Sequence, residues 1–121
     1  PDCHVILRGG ENGPNYHQNS VRSALNKIEQ AGFHPSLMID ASHANCAKDY
    51  QKMPGVFEDI VRQRAEGNTG IAGVMLESNL LAGNQSFPRP LGELTYGQSI
   101  TDSCIDWGTT ETLLRSAATT L

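Results

Sequence analysis

Four residues carry the chemistry open to this sequence: Arg8, His43, Glu77 and Asp102. Each of the first three stands just past a short apolar run, at near-equal intervals of 35 and 34 residues. One imidazole with two carboxylates is a mixed nitrogen and oxygen donor set, suited to a divalent Mn, Fe, Co or Zn ion. Three donors from three loops leave coordination positions open for a substrate oxygen. Arg8 adds a planar, permanently charged fork for a phosphate or carboxylate. An anion clamp beside an open metal fits a phosphorylated or carboxylated substrate that has a carbonyl to polarise.

The same residue types have plainer uses. A histidine after a strand often serves only as a hydrogen-bonding group. Glu77 closes an apolar run and needs a partner of some kind. Asp102 suits a turn or a helix start, and Arg8 suits a structural ion pair. Cys46 follows His43 by three residues, but a single H-x-x-C without a second half reads as a buried, inert thiol. Gly9-Gly10 either cradles a phosphate on backbone N–H groups or simply turns the chain. It matches neither GxGxxG nor the P-loop, so it supports no nucleotide site.

Regular elements must bring these residues together. Residues 3–7 form a β-rich run that ends at Arg8-Gly9-Gly10. Val21, Ala24, Leu25, Ile28 and Ala31 then fall on one helical face, with Asn19 or Ser20 to cap its start and Gly32 its end. Residues 37–39 are a second strand-like run that leads to His43. Pro54 suits a first helical position, Phe57, Ile60, Val61 and Ala65 supply the stripe, and Gly67 the stop. Residues 71–76 are the third run. A long Gly/Pro-bearing stretch, 79–101, is either functional or disordered by its length. A last helix near 109–121 is expected to bury Leu113, Leu114, Ala117 and Leu121, with Trp107 also in the core.

Strands alternating with helices in this way read as parallel α/β units, and unbroken apolar runs fit strands covered on both faces. In such folds, sites lie at the C-terminal ends of the strands, where Arg8, His43 and Glu77 fall. The chain has 121 residues, 38% of them hydrophobic and 18% charged, which fits one globular domain. A net charge of −4 is too mild to announce nucleic acid or an anionic membrane as partner. The longest near-apolar run, 71–76, is far short of a membrane span, and no signal-peptide pattern is visible. Three widely spaced cysteines fit a reducing cytoplasm better than a disulfide framework. The chain opens Pro1-Asp2-Cys3 without Met and enters a strand at once, so it reads as a piece of a longer chain.

Four ordered motifs then carry a resemblance: Pro1-Asp-Cys-His-Val-Ile-Leu-Arg-Gly-Gly10, Met38-Ile-Asp-Ala-Ser-His-Ala-Asn45, Gly73-Val-Met-Leu-Glu-Ser78 with Gly83-Asn-Gln-Ser86, and Tyr96-Gly-Gln-Ser-Ile-Thr-Asp-Ser-Cys-Ile105. In these the chain resembles the C-terminal part of the type I metal-dependent 3-deoxy-D-arabino-heptulosonate 7-phosphate (DAHP) synthases. The resemblance implies a TIM (β/α)8 barrel, of which residues 1–121 would be the last three units, from β6 to α8. It implies condensation of phosphoenolpyruvate with erythrose 4-phosphate, the first step of the shikimate pathway. His43, Glu77 and Asp102 match metal ligands of that family, with a catalytic part for His43. Arg8 matches a residue that binds phosphoenolpyruvate, and Asp102 also falls to the substrate site. The metal would polarise the aldehyde oxygen while the enol carbon attacks.

The family's fourth ligand is a cysteine upstream of this segment, and that role does not pass to Cys46 or Cys104. A Lys-Pro-Arg-Thr segment that contacts both substrates is absent too. The expected partners are therefore the rest of the parent chain or another copy, in a homo-oligomeric parent, and the segment alone is expected to be an incomplete catalyst. Two other readings stand beside this one. They are a fragment of a barrel metallohydrolase and a non-catalytic metal- or partner-binding fragment.

Overall fold

The computed structural model describes residues 3–121; Pro1 and Asp2, which open the first motif, lie outside the described residues. Three strands form one parallel sheet in the order β1 (Val5–Leu7), β2 (Leu37–Asp40), β3 (Ile71–Met75). Between them run helices α1 (Gln18–Gln30) and α2 (Met53–Ala65), and α3 (Trp107–Thr120) closes the chain. Leu7 pairs with Ile39 and Asp40 with Met75. The strands therefore end nearly level, and the residues that follow them emerge at one edge.

The central strand is the one the sheet buries. Leu37, Ile39 and Asp40 of β2 are buried, whereas Val5 and Ile6 of β1 and Met75 of β3 are exposed. Coverage on both faces, expected for all three runs, holds for β2 alone; β1 and β3 keep exposed apolar side chains.

Helix α2 organises the core. Its Met53, Val56, Phe57, Ile60 and Val61 meet Val21 of α1, the β2 pair, Ile71, Ile105 and Leu113 of α3. Each such side chain contributes about 1.5–3 kcal/mol by leaving water. Pro54 sits in the first turn of α2, where its missing N–H costs no hydrogen bond.

Four expectations about helices need correction. Helix α1 starts at Gln18, with His17 at the capping position and no side-chain cap, not at Ser20. Its first turn is polar and mostly exposed, so the apolar period does not mark it. Helix α3 starts at Trp107, with the Asp106 carboxylate accepting from the Thr109 N–H at 2.7 Å. It packs through Thr110, Leu113 and Ala117, while Trp107, Leu114 and Leu121 are exposed. A single helix has only one neighbouring face to bury, and Leu114 and Leu121 lie off it. Ala31 and Ala65, at the ends of their stripes, are exposed too.

The stretch 79–101 is ordered. Isolated bridges pair Ser78 with Ile105, Gly83 with Cys104 and Asn84 with Ser99, and one short 3-10 turn covers Leu91–Glu93.

Candidate metal centre

The site is built on the end of β2. Asp40 is 3% exposed, and both its carboxylate oxygens are engaged. Oδ1 accepts the Ser42 N–H at 2.8 Å, which tightens the turn out of the strand. Oδ2 lies 2.7 Å from His43 Nδ1. His43 itself takes a left-handed backbone, φ 52°, which swings its ring back over the strand end. A carboxylate that accepts from Nδ1–H leaves the lone pair of the neutral ring on Nε2.

Nε2 faces the two other donors. It lies 3.5 Å from Glu77 Oε1 and 3.7 Å from Asp102 Oδ2. One ligand atom from each of His43, Glu77 and Asp102 falls within 4.8 Å of the others. Donors held about 2.1 Å from a tetrahedral cation stand roughly 3.4 Å apart, so these separations suit a shared divalent ion.

The electrostatics agree. Partial burial pushes the Glu77 carboxyl above the usual glutamate range, and the nearby Asp102 and Asp40 charges push it the same way. His43 and Arg8 oppose that rise. Three carboxylates around one imidazole are a cluster that a cation would relieve.

The supports of these three candidate donors differ. Ser42, fully buried, accepts the Glu77 N–H on Oγ at 3.0 Å and donates to Met53 Sδ at 3.5 Å. One hydroxyl thus ties β2, β3 and the start of α2 together. Asp102 is carried by the long loop. Asn84 brackets it, donating to the Thr101 carbonyl at 2.9 Å and accepting from Ser103 Oγ at 2.9 Å. Ile105 N–H donates to the Glu77 carbonyl at 3.1 Å, which holds the Asp102 segment against the Glu77 segment.

Arg8, exposed after β1, makes no ion pair among the described residues, and its charge is felt at Glu77. The structure therefore brings His43, Glu77 and Asp102 into one cluster and sets Arg8 at the same edge. Cys46 and Cys104 are buried, and burial pushes both thiols up. Their Sγ atoms donate to the carbonyls of His43 and Asp102, at 3.4 and 3.6 Å. They brace the ligand loops from behind.

Sequence reasoning missed Asp40 and Ser42. The one signal was a carboxylate three residues before a histidine at a strand end, and a strand-terminal aspartate is common enough to hide it.

Known proteins place the chain. The model of the DAHP synthetase I family matches residues 1–115. The chain belongs to the DAHP synthetase I family. Among similar proteins of this family, the Tyr-sensitive phospho-2-dehydro-3-deoxyheptonate aldolase of Escherichia coli is 51% identical over 115 residues, covering 95% of this chain and 32% of that protein. The Phe-sensitive enzyme of the same organism is 48% identical over 118 residues, 97% of this chain and 33% of the other. A solved phospho-2-dehydro-3-deoxyheptonate aldolase from Francisella tularensis superimposes with a TM-score of 0.90 at 44% identity, covering 97% of this chain and 33% of that one. The chain spans about a third of the length of the relatives it matches.

Proposed function

We propose that this chain is the metal-bearing C-terminal part of a DAHP synthase, the last three βα units of a TIM barrel. The reaction joins phosphoenolpyruvate, erythrose 4-phosphate and water into 3-deoxy-D-arabino-heptulosonate 7-phosphate and inorganic phosphate. One observation carries the reading: His43, Glu77 and Asp102 converge within 4.8 Å at the C-terminal edge of a parallel sheet, in a chain of this family. The free edges of β1 and β3, each paired on one side only, support further barrel strands beside them, and the exposed Val5, Ile6 and Met75 support further cover on the sheet faces.

The residues divide the work. His43 Nε2, Glu77 and Asp102 would hold the divalent cation, and Mn, Fe, Co and Zn all suit this donor set. When bound, the cation supplies a Lewis acid for the aldehyde oxygen of erythrose 4-phosphate. Arg8 holds the anionic end of phosphoenolpyruvate and keeps its enol carbon facing the aldehyde. Asp40 keeps the His43 ring from turning. Asp102, the most exposed ligand with 54% of its side chain open, faces the space that erythrose 4-phosphate enters. The three free cysteines support a reducing, cytoplasmic setting. A barrel metallohydrolase with the same donors would have little use for Arg8, and the family match does not favour it.

The test uses the full-length chain that carries this segment. Chelator treatment should abolish phosphate release from phosphoenolpyruvate plus erythrose 4-phosphate, and added Mn or Co should restore it. Activity that survives complete metal removal and a His43→Ala change would sink the reading. The segment of 121 residues alone should show no turnover.

A further inference from the structure

We infer that Asn15 and Asn45 are positioning residues that lock the Arg8 loop onto the His43 loop, holding the anion clamp and the cation site at one spacing. The inference rests on the reading of Arg8 as the clamp for phosphoenolpyruvate.

The two peptide groups that flank Arg8 are both held by these asparagines. Asn45, 3% exposed, lies in the 3-10 turn His43–Cys46. Its Nδ2 donates to the Leu7 carbonyl at 3.0 Å and to the Asp40 carbonyl at 2.7 Å. The Leu7 carbonyl belongs to the peptide group entering Arg8, and the Asp40 carbonyl to the end of β2. Asn45 Oδ1 accepts the Asn15 N–H at 2.8 Å. Asn15 Oδ1 in turn accepts the N–H of Gly9, the peptide group leaving Arg8, at 2.7 Å.

The contact leaves no slack. Gly9 has φ +75°, and a Cβ there would stand 2.7 Å from Ala44 Cβ and 2.9 Å from the Asn45 nitrogen. The loop that bears Arg8 thus touches the turn that bears His43, backbone to backbone. A buried amide with both its N–H groups and its oxygen satisfied fixes geometry at little cost. Neither asparagine belongs to the donor cluster. Their effect falls on where Arg8 stands relative to that cluster, and an error of about 1 Å in such a placement is enough to matter.

Asn15 is the residue to change, because Asn45→Ala would strand the buried Asp40 carbonyl and the half-buried Leu7 carbonyl together. Asn15→Ala removes the bond to Gly9 and leaves the Asn45 bridge intact. In the full-length enzyme, its Kd for phosphoenolpyruvate should rise about tenfold, the scale of one lost hydrogen bond in a fixed site. Its Co affinity, followed by visible absorption, should stay within about twofold, while its kcat at saturating substrate should fall too, because a displaced Arg8 no longer keeps the enol carbon facing the aldehyde. Arg8→Ala should weaken phosphoenolpyruvate by roughly thirtyfold or more. The double variant should bind it no worse than Arg8→Ala alone, since Asn15 acts through Arg8. Asn15→Ser, with a shorter acceptor, should fall between the parent and Asn15→Ala. An unchanged Kd in Asn15→Ala, a parallel loss of Co affinity, or additive losses in the double variant would overturn the proposal. If Arg8→Ala itself leaves phosphoenolpyruvate binding unchanged, the reading of Arg8 fails and takes the proposal with it. A silent Asn15→Ala beside a weakened Arg8→Ala removes the proposal alone.

Discussion

The two sides of the candidate metal centre are held by different means. His43 stands on a buried strand end, where Asp40, Ser42 and Asn45 are all at most 3% exposed and linked to one another or to the backbone. Asp102 stands on a loop studded with exposed apolar side chains, among them Leu91 at 84% and Tyr96 at 89%. That loop is held by isolated backbone bridges together with amide side chains. Gln85 exchanges hydrogen bonds with both the N–H and the carbonyl of Thr95, and Gln98 donates to the Ala82 carbonyl. One half of the site is thus made rigid by the core, and the other by hydrogen bonds that water can contest. The core side is built for fixed placement of the donor, the loop side for access.

The comparison can be broken at several points. Ile39→Ala, fully buried beside Asp40, should cost about 2–5 kcal/mol of stability in denaturant unfolding. Asp40→Asn should lower metal affinity about 10- to 100-fold with folding retained, read by Co titration. Asn84→Ala, on the loop side, should lower it by less than about tenfold, because water replaces exposed hydrogen bonds. Equal losses from Asp40→Asn and Asn84→Ala would mean that both halves are equally rigid. Leu91→Ala should change stability by no more than about 0.5 kcal/mol; a larger loss would show the Leu91 side chain buried rather than exposed in the folded protein.

The smallest effect concerns pH. Hydrogen bonds from Thr109 hold the Asp106 carboxyl below the usual aspartate range. An acid lowered in the folded state adds stability above its unfolded pKa, near about 4, and loses it as pH falls through the lower folded value. The stability difference between the parent and Asp106→Asn should therefore shrink on acidification below about pH 4. A difference that stays constant across that range would assign the cap to the hydrogen bond rather than to its charge.

Much of this was legible because apolar period and strand ends are local signals. The three runs, the α2 stripe with Pro54, and the alignment of Arg8, His43 and Glu77 all follow from spacing within a few turns of chain. Other features depend on partners far along the sequence. Asn84 reaches Ser103 across 19 residues and Gln85 reaches Thr95 across 10, and no periodicity announces such bonds. Leu114 and Leu121 have the right residue type and the wrong face, which depends on where α2 lies. Asp40 was hidden for a third reason: its role appears only once the turn folds His43 back on it.

That turn also bears on how position 43 can vary. A backbone in the left-handed region admits Asn, Asp and His more readily than other side chains, apart from glycine, and resists β-branched ones. Asn and Asp both carry an oxygen that divalent ions accept. Glycine aside, which fits this backbone and carries no donor, the substitutions that the chain tolerates sterically at this position tend to keep a donor there, and the other residues that would delete it meet a conformational barrier first. The shape of the loop restricts drift at the site before any selection on catalysis begins.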